Sequence, residues 1–292
     1  MKKFIRVLGV MLVLVVFAGL AVGSGSADEG GEIATNSNGS VVEASVVTID
    51  EQVLFEQNGI KVTAKEYASD IIMGDGVNVL VENNTDKNLS VGCDAVIVNN
   101  YMIVDLFSCS VAAGKKANDT IYLSSSALDA AGITNVGQIE IYFRVFDSDT
   151  YETVFEVAPV TIQTSAFDDM DITPADAGEE LFNQGGVRIV GKYVDEDSFW
   201  GTAVLLYVEN KSGRNIGVSC EDMSINGFMV NPLFSSTVYD GKMSIDTITI
   251  FSSDFEENNI SSIDELELKF RVYDADSYET IVDSEPISFT VN

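Results

Sequence analysis

The segment Phe55-Glu56-Gln57-Asn58-Gly59 recurs as Phe182-Asn183-Gln184-Gly185-Gly186, and the offset of 127 runs without a gap to Asn292. Residues 54–165 set against 181–292 share 38 identities in 112 positions. A chain written twice in this way is expected to fold into two copies of one architecture, because an insertion in either copy would break the offset. Each copy, at about 110 residues, is the size of an ordinary domain and buries a core without help from metal or disulfides.

The local pattern is that of strands. Ile139, Ile141, Phe143 and Val145 alternate with Glu140, Tyr142, Arg144 and Phe146, the period of two that places one face on a core. Leu266, Leu268, Phe270 and Val272 repeat it in the second copy. Further strands are predicted at Gly59 to Lys65, Ala95 to Val98, Met102 to Phe107, Thr120 to Leu123 and Val160 to Thr164. The polar run 83–88 reads as the turn of a hairpin from Val77–Glu82 into Leu89–Val91, mirrored over 204–218. Asp147 to Tyr151 and Asp274 to Tyr278 read as aspartate-rich hairpin turns. Only Ser124 to Ala131 suits a helix, with Ser126 as its cap.

Lys2, Lys3 and Arg6, the apolar run from Val7 to Val22 and the small residues that follow assign 1–23 to an export signal peptide. A retained membrane anchor is the alternative, on a run slightly short of the ~20 residues that span a bilayer. Residues 24–46, rich in Gly, Ser, Asn and Glu, read as a flexible tether. Residues 47–165 form repeat 1, 166–180 an acidic, self-repelling linker with Pro174, and 181–292 repeat 2. Seven or eight short strands per copy make the expected fold all-β: two tandem antiparallel β-sandwiches of immunoglobulin-like kind, with a jelly roll or small barrel as the alternative.

The strings LFEQNGIKVTAKEY (54–67), VENNTDKNLSVGC (81–93), VNNYMI (98–103) and FRVFDSDTYET (143–153) resemble a module of uncharacterised secreted proteins from Gram-positive, gut-type bacteria. The resemblance covers both copies and departs where 195–200 replaces the milder 68–73. It implies tandem immunoglobulin-like modules behind export signals or membrane anchors, hence an extracellular or cell-surface location, and carries no activity with it.

Composition excludes several chemistries. The chain has no histidine, which removes Ser-His-Asp and Cys-His catalysis and His-ligated zinc. Three cysteines cannot make a four-thiolate zinc site within one chain. Neither a phosphate-binding Gly loop with Lys-Ser/Thr nor a Gly-x-Ser-x-Gly elbow occurs. Loss of residues 1–23 would take the net charge from −30 to −33, a surface that repels nucleic acid and anionic lipid. Contact with a membrane is therefore expected only through an uncleaved N-terminal segment. The acidity favours a dispersed monomer.

Cys93 aligns with Cys220, whereas Cys109 aligns with Ser236. Cys93 and Cys220 are therefore expected to be buried thiols at equivalent core positions, with a Cys93–Cys109 disulfide private to repeat 1 as the alternative.

Three sets of residues are candidates for a site. Asp147, Asp149 and Glu152, with their copies Asp274, Asp276 and Glu279, crowd oxygen ligands on a turn as calcium prefers, although aspartates in turns commonly bind their own backbone. No other cofactor is expected. Phe199 and Trp200, with Tyr193, offer an aromatic platform for a sugar or peptide, or a plug for the end of a core. Arg144 and Arg271 are expected to pack across their hairpins on Tyr151 and Tyr278. The chain is accordingly expected to be a non-catalytic binding or adhesion protein for a protein or glycan ligand. A structural stalk is the second reading, and a carboxylate-dependent hydrolase with two carboxyls roughly 5–9 Å apart the third.

Overall fold

The computed structural model describes residues 46–70, 74–103, 107–198 and 201–289. The first copy runs β1 (Gln52–Gln57), β2 (Ile60–Asp70), β3 (Gly74–Asn83), β4 (Leu89–Val98), β5 (Tyr101–Ile103), β6 (Ser108–Val111), β7 (Lys116–Tyr122), α1 (Ser125–Ala130), β8 (Gln138–Asp147), β9 (Thr153–Glu156) and β10 (Val160–Gln163). The second runs β11 (Glu179–Gln184), β12 (Val187–Ser198), β13 (Gly201–Asn210), β14 (Ile216–Ile225), β15 (Phe228–Met229), β16 (Ser235–Val238), β17 (Met243–Phe251), α2 (Ser252–Asn258), β18 (Leu266–Asp274), β19 (Thr280–Asp283) and β20 (Ile287–Phe289). Every element of the second copy begins within a residue of the position 127 beyond its partner in the first.

The chain is all-β with several antiparallel sheets. In the first copy β1-β2-β3-β7 form one sheet, and β10-β8-β4-β5, with β6 and β9 attached, belong to another. Inward residues of both, among them Val62, Val79, Ile121, Val91, Ile141 and Phe143, share one buried cluster. In the second copy β11-β12-β13-β17 match the first of these sheets and the group around β14 and β18 matches the second. The alternation on β8 and β18 is as the sequence requires: Ile139, Ile141, Phe143 and Val145, and Leu266, Leu268, Phe270 and Val272, are all buried.

The turns explain why the offset is gapless. Asn58 and Gly59 (φ 48° and 83°), and Gly185 and Gly186 (62° and 82°), are left-handed, the pairing that closes a two-residue hairpin. Asn99–Asn100 and Asn226–Gly227 do the same between β4 and β5 and between β14 and β15. Asn83 is fully buried: its amide donates to the carbonyls of Lys87 and Val111 while its oxygen accepts from the Thr85 amide and hydroxyl. Asn210 makes the same four bonds, to Arg214, Val238 and twice to Ser212. The segment it anchors is not the hairpin turn expected from sequence. β3 and β4 lie in different sheets, so residues 84–88 cross from one layer to the other, and buried asparagine supplies the hydrogen bonds that a crossover cannot draw from a ladder.

Other expectations are corrected at α1 and the linker. Ser124, not Ser126, caps α1, accepting from Ala127 N. The C-terminal part of the expected linker is tied down: Arg188 pairs with Asp176 at 2.7 Å and Glu180 at 2.8 Å, and Ala175 N donates to the Tyr101 hydroxyl.

The copies are joined by more than the linker. β5 lies parallel to β17, with Tyr101 opposite Met243, so the second sheet of the first copy continues into the first sheet of the second. Val190, Tyr207 and Met243 are buried in the first copy's cluster. The described residues from Val46 onward pack as one compact unit.

Candidate functional site

Phe199 and Trp200 lie outside the described residues. Tyr193, beyond the bulge in β12, is exposed, at 57%.

The aspartate turns are built around their own backbone. The Asp147 carboxylate accepts from the amides of Asp149 and Thr150 at 3.0 and 3.1 Å. Asp274 accepts from those of Asp276 and Ser277 at 3.1 and 3.0 Å. These amides, Asp149's for Asp147 and Ser277's for Asp274, hold the two carboxyls below the usual carboxylate range. Asp149, Glu152, Asp276 and Glu279 do not join them, and among the described residues no group of three or more His, Cys, Asp or Glu is placed to hold a metal.

The arginines choose other partners than Tyr151 and Tyr278. Arg144 lies 5.7 Å over Phe146 and pairs with Asp94, while Arg271 binds Thr280 and Glu221. Tyr278 instead stacks on Tyr273, whose ring lies over Gly217, where a Cβ would meet it at 2.2 Å.

No disulfide joins the cysteines, so the Cys93–Cys109 alternative is not realised. Cys109 is the buried one, and Cys93 and Cys220 are half-buried against the two cores. Burial pushes the Cys109 and Cys220 thiols up to about 12, helped at Cys109 by Asp119.

Two features that sequence reasoning did not single out stand at the junction and at its unmatched counterpart. The junction encloses a cleft of about 280 Å³ that holds a carboxylate from each copy, Asp94 and Asp246. Asp94 is held by Arg144 at 3.3 Å. Asp246 accepts from the Ser236 hydroxyl at 2.6 Å and from the Ser244 hydroxyl, and burial keeps its carboxyl above the usual range against the pull of both. Nearby, Lys242 Nζ meets Glu140 at 2.6 Å with both side chains about 15% exposed (15% and 14%). Tyr142 donates to Glu140 and meets Tyr239 edge-on at 4.7 Å. Asp94 is thus ion-paired and Asp246 hydrogen-bonded within its own copy, on the two sides of the cleft.

The counterpart is the free edge of the second copy. β15 ends its sheet, pairing only with β14 among the described strands. Phe228 is 48% exposed and Met229 63%, and Leu233 beyond them is 55% exposed. The equivalents of the first two are Tyr101, 2% exposed, and Met102, packed against the second copy's core. The same strand position is thus an interface in one copy and a bare apolar edge in the other. A sequence signal existed: Met243 and Ile245 replace Lys116 and Asn118, an exchange of polar for apolar residues that marks one β17 edge as covered.

No family model and no curated protein matches the chain. Among solved structures it is similar to the Salmonella enterica SafA pilin in complex with the SafB chaperone, at 12% identity and TM-score 0.20 over 74% of this chain and 89% of that one. It is also similar to a protein of unknown function from Porphyromonas gingivalis W83, at 11% identity and TM-score 0.21 over 77% and 93%. TM-scores this low carry no argument about fold or function. Among the described residues no helix is long and apolar enough to cross a membrane.

Proposed function

We infer that the chain is a secreted or cell-surface, non-catalytic binding protein made of two immunoglobulin-like β-sandwiches joined at residues 166–180, and that it recognises protein through the β15 edge of its second repeat. The observation that carries this is the exposure of Phe228 and Met229 on the strand that ends a sheet. Natural sheets blunt their edges with charge, proline or a cover, and a contiguous apolar edge left open is where a partner docks. An edge strand offers backbone amides and carbonyls in ladder geometry, which favours a protein ligand over a glycan.

The test is attachment of the purified, fluorescently labelled exported chain to the surface of the cells that secrete it. Phe228→Asp with Met229→Asp should reduce attachment about tenfold or more at unchanged thermal stability, and protease treatment of the target surface should do the same. Attachment that survives the double variant and is lost in Tyr193→Ala, or on glycosidase treatment, overturns the edge reading in favour of an aromatic platform for sugar.

A further inference from the structure

The junction within the chain supplies a template for what the open edge receives. In the junction, Met243 N donates to Asn100 O at 3.0 Å, Tyr101 is buried, and Glu140 pairs with Lys242. At the outer end of the second repeat the same positions are held by Gly227, Phe228 and Glu267. At the outer edge of the first repeat, the strand equivalent to β17 is β7, which pairs only with β3 among the described strands. Its positions equivalent to Lys242 and Met243 are Lys115 and Lys116. Each molecule therefore carries both unmatched halves of the contact that joins its own repeats, at opposite ends of its sheets.

We propose that the β15 edge docks the β7 edge of a second copy of this chain, head to tail. The inference rests on the edge reading above and names its partner. Two observations beyond exposure support it. The charge pair of the junction keeps its signs, since Glu267 stands for Glu140 and Lys115 for Lys242. The large apolar pair of the inserting edge is also kept, as Phe228 and Met229 for Tyr101 and Met102. The receiving edge is altered: Lys116, bound to Glu82, and Asn118 replace Met243 and Ile245. The contact between molecules is consequently weaker than the one within them, and reversible. Because the two edges differ, the contact is heterologous, so association runs head to tail and builds chains or rings rather than a two-fold dimer. The net charge of −30 opposes it at long range, so association strengthens as salt screens the repulsion.

Sedimentation of the exported chain tests this at concentrations up to the order of 100 µM, where small, partly polar interfaces associate. Changing Lys116→Met and Asn118→Ile copies the β17 edge onto β7 and should tighten association about tenfold or more and lengthen the chains. Phe228→Asp with Met229→Asp, or Met229→Asp alone should the pair disturb folding, should leave monomers. So should Lys116→Glu with Asn118→Asp, which blocks the other edge. Mixing the two blocked variants should give heterodimers and nothing larger. The proposal is overturned if the Lys116→Met, Asn118→Ile chain stays monomeric, or if the β7-blocked variant associates as well as the unaltered chain, which would mean β15 pairs with β15. If the β15-blocked variant loses cell attachment while every form is monomeric, the edge reading stands and the second copy falls. If it loses neither, both fall.

Discussion

Lys116 and Asn118 on the outer edge of the first repeat stand where Met243 and Ile245 stand in the second. The first pair faces solvent beside Glu82, whereas Met243 is buried in the other copy's core and Ile245 packs against it. Inside, the repeats hardly differ. Asn83 and Asn210 close the same four bonds, and Asn99 and Asn226 each bridge a carbonyl and two amides at equivalent positions. Duplication preserved the groups that a crossover or turn requires and released the edges, so the differences between copies report on contacts each makes beyond itself.

The largest effect is expected where the copies agree. Asn83→Ala strands the buried Val111 carbonyl and the part-buried Thr85 amide, and Asn210→Ala does the same to Val238 and Ser212. Each change should destabilise by about 3 kcal/mol, measured by urea unfolding, and the two values should agree within about 1 kcal/mol. A large disparity would break the equivalence of the two networks.

Next comes the exchange of edges. Met243→Lys with Ile245→Asn rewrites β17 as β7, and the lost apolar burial with a lysine at the seam should cost about 2–4 kcal/mol. It should also split one cooperative unfolding transition into two, since the repeats would be held mainly by the linker. A single transition of unchanged midpoint would mean that the seam contributes nothing to cooperativity.

Much of the fold is legible in the amino-acid sequence, and the limits have physical causes. Strands β8 and β18 are legible because one face meets a core, which imposes period two on Ile139 to Val145 and on Leu266 to Val272. The hairpin expected across residues 83–88 failed because Asn, Thr and Asp mark a change of direction without saying whether the chain returns to its own sheet. The information sits in Asn83, which reaches Val111, a partner 28 residues away. The junction was legible only on one of its two strands: Tyr101 and Phe228 are both large and apolar and do not say which is covered, whereas Met243 and Ile245 in place of Lys116 and Asn118 do. What the sequence could not show of the aspartate turns is how Asp147 and Asp274 are used: each accepts backbone amides of its own turn, the commoner use of aspartate there.

A smaller effect separates two tyrosines at the seam. Tyr101 accepts from Ala175 N at 2.7 Å, whereas the Tyr207 hydroxyl is buried with no hydrogen-bond partner among the described residues. Tyr101→Phe should cost about 1 kcal/mol by stranding that amide, and Tyr207→Phe should be neutral or stabilising by up to about 1 kcal/mol. Thermal unfolding of the two variants should therefore move in opposite directions or leave Tyr207→Phe unmoved. A loss at Tyr207 equal to that at Tyr101 would mean that its hydroxyl has a partner, a bound water being the simplest.

The smallest effect concerns Asp246 and is read as a dependence on pH. Burial raises its carboxyl pKa in the folded protein, and the Ser236 and Ser244 hydroxyls only partly offset that rise. A carboxyl with a raised folded pKa binds its proton more tightly folded than unfolded. Its burden on stability is thus absent below the unfolded value, about 3.9, grows as pH rises toward the folded value, and is complete above it. Asp246→Asn keeps an oxygen to accept from the serines and removes the charge. It should stabilise the chain at neutral pH, with the advantage shrinking to nothing below about pH 4. The turn carboxylates run the other way: Asp147 and Asp274 have lowered values, so their contribution is present at neutral pH and lost as pH falls through the folded pKa. The two sets are separable by unfolding Asp246→Asn and the unaltered chain side by side between pH 3 and 7. A difference that is flat with pH, or that favours aspartate at neutral pH, would show that the two serines offset burial in full.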